Sequence, residues 1–240
     1  MSDWPISDAS RLWMEGLPNQ FRQIIEDAVP RLLAAFPNLL VIGVVGSLAE
    51  GTYDEHSDVD LFLVRRGPTG GHDVFRDIRR DWKTVNFIIS GPEHLRVDHN
   101  DGATGAWAVR RSVVLYDPQG VMPPYVATDP PPPRRQWAED RLREIARWDM
   151  PRVLQGKILA LAQLLVALNS LPMPTTKRHI RDGLLAVCQV EAIRQAMIAA
   201  TRRGSTPEQD HEDLEAMQNG LHPLQDLVQQ VLLTSDQVRS

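Results

Sequence analysis

Apolar positions along the first forty residues follow a helical step. Phe21, Ile24, Ile25, Ala28, Leu32 and Phe36 recur at intervals of three and four, as one buried helix face requires. Pro30 lies inside that pattern and is expected to kink or divide the helix. The period then changes. Residues 39–45 form a β-rich apolar run that reads as a buried strand, ended by Gly46-Ser47. Residues 59–64 are a second such run. Residues 67–71 read as a loop and 72–80 as a short helix. Val85, Phe87 and Ile89 alternate with Thr84, Asn86 and Ile88, which predicts a third strand, and residues 112–116 predict a fourth.

Proline then marks a boundary. Seven of the 18 prolines fall between Pro118 and Pro133, ending in Pro130-Pro131-Pro132-Pro133. Such a run forms neither helix nor central strand and reads as a stiff, extended spacer. Beyond it the pattern is helical throughout. The expected helices are an amphipathic one over 137–148, a central buried one over 153–171, one over 180–203 closed by Gly204, a start at Thr206-Pro207-Glu208, and a last one over 221–233. The chain therefore reads as an α+β domain with a mixed sheet over 1–128, a Pro-rich linker over 129–134, and an all-α helical bundle over 135–240.

Composition narrows the function. Among 240 residues, 42% are hydrophobic and 24% charged, ordinary values for a folded globular chain. The net charge is −5, all of it before residue 129 (12 basic, 17 acidic), the remainder being balanced (14 and 14). An acidic balance argues against a large polyanionic partner, so no nucleic acid is expected. The single Cys188 excludes a disulfide framework, and no paired Cys/His spacing indicates structural zinc. No leader peptide and no membrane span are expected, and a cytoplasmic location fits.

One segment carries chemistry: Gly46-Ser47-Leu48-Ala49-Glu50-Gly51-Thr52-Tyr53-Asp54-Glu55-His56-Ser57-Asp58-Val59-Asp60-Leu61. A strand delivers the chain to Gly46, where the lack of a side chain allows backbone to approach a ligand. Ser47 adds a hydroxyl. N–H groups at such a turn suit phosphate oxygens. Asp58 and Asp60 are two apart on a strand and so share a face, while Val59 and Leu61 turn into apolar packing. Paired carboxylates repel unless a cation lies between them, and a hard cation with oxygen ligands, Mg²⁺ above all, brings nucleotide phosphates with it.

That segment resembles the signature of the DNA polymerase β-like nucleotidyltransferase superfamily: Gly-Ser, a spacer, then Asp-x-Asp on a strand. It is similar to the small bacterial members, which include antibiotic nucleotidyltransferases and the minimal nucleotidyltransferases of toxin–antitoxin pairs. The resemblance runs from about Leu40 to Ile89, and Tyr116-Asp117-Pro118 fits the end of such domains. It implies that Gly46 and Ser47 hold the β,γ-phosphates of a nucleoside triphosphate, with Thr52 and Ser57 in the same nucleotide-binding segment. It implies further that Asp58 and Asp60 bind Mg²⁺. An acceptor hydroxyl would then attack the α-phosphorus and expel pyrophosphate.

The family has a third carboxylate on the next strand. Here Asn86 holds that place. An amide is uncharged and is no base at neutral pH. Another base, slow transfer to solvent, or loss of transfer with the fold kept are the three accounts. Asp81 is the nearest acid upstream but has the wrong strand parity; Glu93, Asp98 and Asp101 fall in an expected loop. Lys83 and Arg65-Arg66 lie near strand ends and could contact triphosphate. His56, Trp107, Trp137, Trp148, Glu139, Asp140, Glu144 and Asp149 are weaker candidates, better read as loop, core or solvated helix face. Cys188 reads as core, and His211-Glu212-Asp213 as an exposed acidic helix start.

The leading expectation is an enzyme that transfers a nucleoside monophosphate, AMP from ATP, to a hydroxyl of a small-molecule acceptor. A cationic acceptor such as an aminoglycoside would suit the acidic balance; a protein acceptor ranks second. The alternative, motivated by Asn86, is a weakened or inactive nucleotidyltransferase fold acting as a nucleotide sensor or an antitoxin-type interaction module.

Overall fold

The computed structural model of the chain describes residues 4–67, 72–148, 154–169, 173–202 and 207–238. Helix α1, Asp8–Glu15, opens on Ser7, whose hydroxyl accepts the N–H of Ser10. That cap satisfies a donor the first turn would leave without a partner. Helix α2, Asn19–Ala35, buries the expected face through Phe21, Ile24, Ile25, Ala28 and Leu32. Pro30 does not divide it. The proline removes one helical hydrogen bond, but Ala28, Val29 and Leu32 on either side of it are buried in the same core and keep both halves in line.

The chain continues as β1 (Leu39–Val45), α3 (Gly46–Ala49), β2 (Val59–Arg65), α4 (His72–Asp81), β3 (Val85–Ser90), α5 (Pro92–Asp101), α6 (Thr104–Arg110), β4 (Val113–Tyr116) and α7 (Pro123–Ala127). The strands form one four-stranded sheet in the order β3-β2-β1-β4. β1 runs antiparallel to β2 and β4, whereas β2 and β3 are parallel and joined through α4, so the sheet is mixed. Helices α5 and α6 cover a stretch expected to be loop. α5 has few apolar positions, with Leu95 the buried one, and α6 is only seven residues long, so neither shows a helical period.

Side-chain alternation gives the sheet two different faces. On one, Ile42, Val44, Val59, Leu61 and Leu63 join Phe75 and Ile78 of α4 and the buried side of α2. On the other, Val41, Val45, Phe62 and Val64 join Leu95, Val109 and Met122. Asp60 belongs to this second face, beyond Phe62. Arg31 ties α2 to α4: its Nη1 lies 2.8 Å from Asp27 Oδ2 and 2.9 Å from Asp81 Oδ2. Desolvation works against the guanidinium charge, but the two carboxylates outweigh it and raise the Arg31 pKa. Asp27 also accepts the Trp82 indole N–H at 2.8 Å.

After the prolines come α8 (Arg135–Ala146), α9 (Leu154–Asn169), α10 (Lys177–Val187), α11 (Glu191–Thr201) and α12 (Pro207–Val238). Contacts divide the chain into two compact units. The first is Met1–Asn100 with Ala108–Pro130; the second is Asp101–Trp107 with Pro131–Ser240. The helical core gathers Ile145, Ile158, Leu161, Leu165, Leu184, Ile193, Met197, Leu224 and Val228.

Two helix boundaries differ from the sequence reading. The helix expected over 180–203 is broken at Cys188, where Cys188 and Val190 adopt extended backbone. Arg194 satisfies the carbonyls left by that break, donating to Leu185 O at 2.7 Å and Cys188 O at 3.1 Å. Conversely, α12 runs without interruption through Gly220 and Pro223. A Cβ at Gly220 would meet Ala192 O at 2.6 Å, so glycine there serves a close crossing with α11 rather than a helix end. Part of the loop 67–71, the ends of the helix expected over 153–171, Asp149, Gly204 and Thr206 lie outside the described residues. Among the described residues, no helix is long and apolar enough to cross a membrane.

Candidate active site

β1 ends at Val45, and Gly46 turns the chain with φ +74° into the short helix α3. An L side chain is strained there. It would also collide, because a Cβ on Gly46 would lie 2.7 Å from Asp60 Oδ2. The glycine therefore lets backbone lie directly against a carboxylate. From α3 the chain returns through a tight loop to β2. Thr52 N–H donates to Ser47 O at 2.9 Å. The Thr52 hydroxyl oxygen is buried and makes no hydrogen bond.

The loop before β2 is tied by Asp54 and Ser57. The Ser57 hydroxyl accepts the Asp54 N–H at 2.9 Å and donates to Asp54 Oδ1 at 3.2 Å. The His56 N–H donates to Asp54 Oδ1 at 3.0 Å. Ser57 is 3% exposed, so its hydroxyl is engaged in shaping the loop. Tyr53 packs edge-on against Phe21 with ring centroids 5.5 Å apart, and Gln20 donates to Glu55 O, which fastens the loop to α2.

β2 then carries Asp60, with Asp58 just before its first residue, while Val59 and Leu61 are fully buried. Asp60 lies opposite Val45 on one side and Asn86 on the other. The parallel register of β3 thus brings Asn86 to both carboxylates. Asn86 Nδ2 is 3.1 Å from Asp60 Oδ1 and 3.4 Å from Asp58 Oδ2. Asp58 and Asn86 are exposed and Asp60 is half-buried. Among the described residues, no group of three His, Cys, Asp or Glu is placed to hold a metal. Two carboxylates and an amide form the cluster.

The other candidates distribute as follows. Lys83 is exposed in the turn before β3, at the same end of the sheet as Asp58. Arg65 pairs with Leu39 at the opposite end of β2, is buried, and lies over the Phe36 ring at 4.9 Å. A contact of Arg65 or Arg66 with a ligand at Asp58 is thereby excluded. Asp81 ends α4 beside Arg31, and Glu93, Asp98 and Asp101 are on α5. His56 is exposed. Glu139, Asp140 and Glu144 each pair with an arginine on α8. Trp107 is buried with Ala167 and Met173, and Trp137 packs beside them; Cys188 is buried. Asp213 is not part of an exposed start: it is 9% exposed and paired with Arg202 at 2.5 Å.

The sequence reading passed over one pair. Glu50, directly after α3, has its side chain 7% exposed and meets Arg111 Nη1 at 3.2 Å. Arg111 lies just before β4, so the pair joins the far end of the Gly46 turn to the other side of the sheet. An acid inside the signature was visible in the sequence, but nothing there pointed to a partner sixty residues later.

Residues 22–91 match the family model of the nucleotidyltransferase domain. The resemblance read from Gly46 to Leu61 is borne out over that stretch, and β1, β2, β3, the turn at Gly46 and the paired aspartates all fall within it. Among solved structures, the chain is similar to spectinomycin adenyltransferase AAD(9) from Enterococcus faecialis, crystallised with ATP and spectinomycin. The identity is 13% and the TM-score 0.46, covering 90% of this chain and 98% of that one. The likeness is loose and says nothing of this chain's acceptor. No curated protein sequence matches the chain.

Proposed function

We propose that the chain transfers a nucleoside monophosphate, AMP from ATP, to a hydroxyl of a small-molecule acceptor and releases pyrophosphate. The observation that carries this reading is the placement of Asp58 and Asp60 together at the start of β2, both on Asn86, with Asp60 against the bare backbone of Gly46. The match of residues 22–91 to the nucleotidyltransferase domain supports it.

The donor set fits a divalent cation such as Mg²⁺. It consists of hard oxygen atoms, it carries two negative charges, and a cradle that a Cβ would fill lies beside Asp60. Asp58 and Asp60 would hold the cation, whose chemistry is to neutralise charge on phosphate and on the attacking and leaving oxygens. Gly46 lets the backbone approach the β,γ-phosphates, with the Ser47 hydroxyl as a donor. The buried Thr52 hydroxyl, which has no hydrogen bond of its own, is available beneath the turn. Ser57 contributes by fixing the loop that delivers Asp58. Lys83, exposed at the same sheet end, is available to the triphosphate. Catalysis is then mainly positioning and charge neutralisation. Asn86 takes no proton, so the acceptor proton passes to another base or to solvent. The acidic balance of the first 128 residues favours a cationic acceptor.

Asn86 also motivates a second reading, in which the site binds nucleotide without transferring it and the chain serves as a sensor or interaction module. One assay separates the two. Pyrophosphate release from ATP is measured with a panel of hydroxylated acceptors, cationic ones included, for the wild type, Asn86→Asp and Asp60→Asn. Transfer predicts acceptor-dependent release in the wild type, more in Asn86→Asp, and none in Asp60→Asn. Tight nucleotide binding without release in any form would favour the sensor.

A further inference from the structure

Asn86 does more than fill the place of an acid. Its Nδ2 faces both carboxylates, at 3.1 Å from Asp60 and 3.4 Å from Asp58. Carboxylate oxygens only accept, so the amide presents its NH₂ edge to them and turns its carbonyl away. In that orientation it acts as a neutral stand-in for a cation, holding two like charges side by side. An amide nitrogen has no free lone pair for a metal; Oδ1 is the residue's one ligand atom. A cation between Asp58 and Asp60 therefore displaces the NH₂ edge, and a half-turn about the Cβ–Cγ bond brings Oδ1 to it. Asn86 is exposed, so that turn meets little packing.

Charge sets the number of cations. Asp58 and Asp60 supply two negative charges, Asn86 none, and no group of three acids is placed for a metal among the described residues. One divalent ion neutralises the set. Before nucleotide binds, a second leaves two net positive charges on the protein's own groups, and two divalent ions repel each other four times as strongly as two single charges.

We propose that Asn86 is a rotating ligand that limits the protein's own groups at this site to one divalent cation: donating NH₂ to Asp58 and Asp60 without metal, and offering Oδ1 with it. This rests on the reading of the site as a metal–nucleotide site. The test counts Mn²⁺ bound to the full chain by electron paramagnetic resonance, with and without a non-hydrolysable ATP analogue. Mn²⁺ held by the free analogue is subtracted. In parallel, the Asn86 side-chain NH₂ pair, identified by its loss in Asn86→Asp, is followed by NMR during Mg²⁺ titration. The expected results are one Mn²⁺ per wild-type chain, a second in Asn86→Asp, loss of binding in Asp60→Asn, and an NH₂ shift that saturates at one Mg²⁺. Without nucleotide, two Mn²⁺ in the wild type, equal counts in wild type and Asn86→Asp, or binding that leaves the NH₂ pair unmoved would overturn the inference and leave the metal–nucleotide reading standing. No Mn²⁺ binding in the wild type, even with the analogue, would overturn both.

Discussion

Replacing Gly46 by alanine perturbs the site by the smallest possible amount, one methyl group. Two costs follow from the structure. The backbone at φ +74° is unfavourable for an L residue by roughly 1–2 kcal/mol. The new Cβ would also lie 2.7 Å from Asp60 Oδ2. Ordinary carbon–oxygen contacts begin near 3.3 Å, so the carboxylate or the turn must yield by roughly 0.6 Å. Sites that depend on positioning hold their groups to within about 0.5 Å, so this shift exceeds the tolerance, and a displacement near 1 Å costs about 100-fold in rate. Gly51→Ala supplies the control. Its φ is +68°, nearly the same, but nothing lies within 4 Å of its would-be Cβ. Both variants should lose the stability that the backbone strain costs, and Gly46→Ala the clash in addition, at about 2–4 °C in Tm per kcal/mol for a chain of this size. Only Gly46→Ala should also lose the stabilisation given by ATP with Mg²⁺. The assay is thermal unfolding of both variants with and without ATP and Mg²⁺. Unchanged ligand stabilisation in Gly46→Ala, or equal loss in both, would refute the idea that contact between the turn and Asp60 builds the site.

Further substitutions probe the scaffold. Ser57→Ala removes the hydroxyl that both accepts from and donates to Asp54, and should cost about 1 kcal/mol in urea unfolding while weakening Mg²⁺-dependent ATP binding. Asp27→Ala strips the partner of the Trp82 indole and one of the two carboxylates on Arg31, and should cost about 1–3 kcal/mol in the same measurement. Nucleotide binding should be retained, since Asp27 is in α2 and makes no contact with Asp58 or Asp60. Gly220→Ala forces a methyl against Ala192 and Ala196 where α11 and α12 cross, and should destabilise by roughly 1–3 kcal/mol, seen as a lowered Tm.

Much of the sheet could be read from the chain. The apolar runs through Val45 and through Val64 come from burial on both faces of β1 and β2, and the alternation of Val85 and Phe87 with Thr84 and Asn86 from burial on one face of the edge strand β3. The paired aspartates were legible for the same reason, since residues two apart share a strand face. That Asn86 reaches both of them depends on the parallel register of β3 with β2, which is set by the crossover through α4 and leaves no local mark. The Glu50–Arg111 pair is likewise a product of sheet order. The helices of the second half were visible as a class but not in their ends. Cys188 breaks a helix without glycine or proline because Arg194 satisfies the freed carbonyls. Gly220 and Pro223 fail to end one because packing on α11 carries α12 past them.

The central claim is that Asp58 and Asp60, beside Gly46, bind a metal–nucleoside triphosphate. Its most direct test is thermal unfolding of the wild type and Asp60→Asn with ATP, GTP, CTP and UTP, each with and without Mg²⁺. A ligand at 100 times its Kd stabilises by about 2.7 kcal/mol, a readily measured shift. The account predicts a Mg²⁺-dependent rise in Tm, largest with ATP, that disappears in Asp60→Asn. No rise with any nucleotide, or a rise that persists in Asp60→Asn, would contradict it.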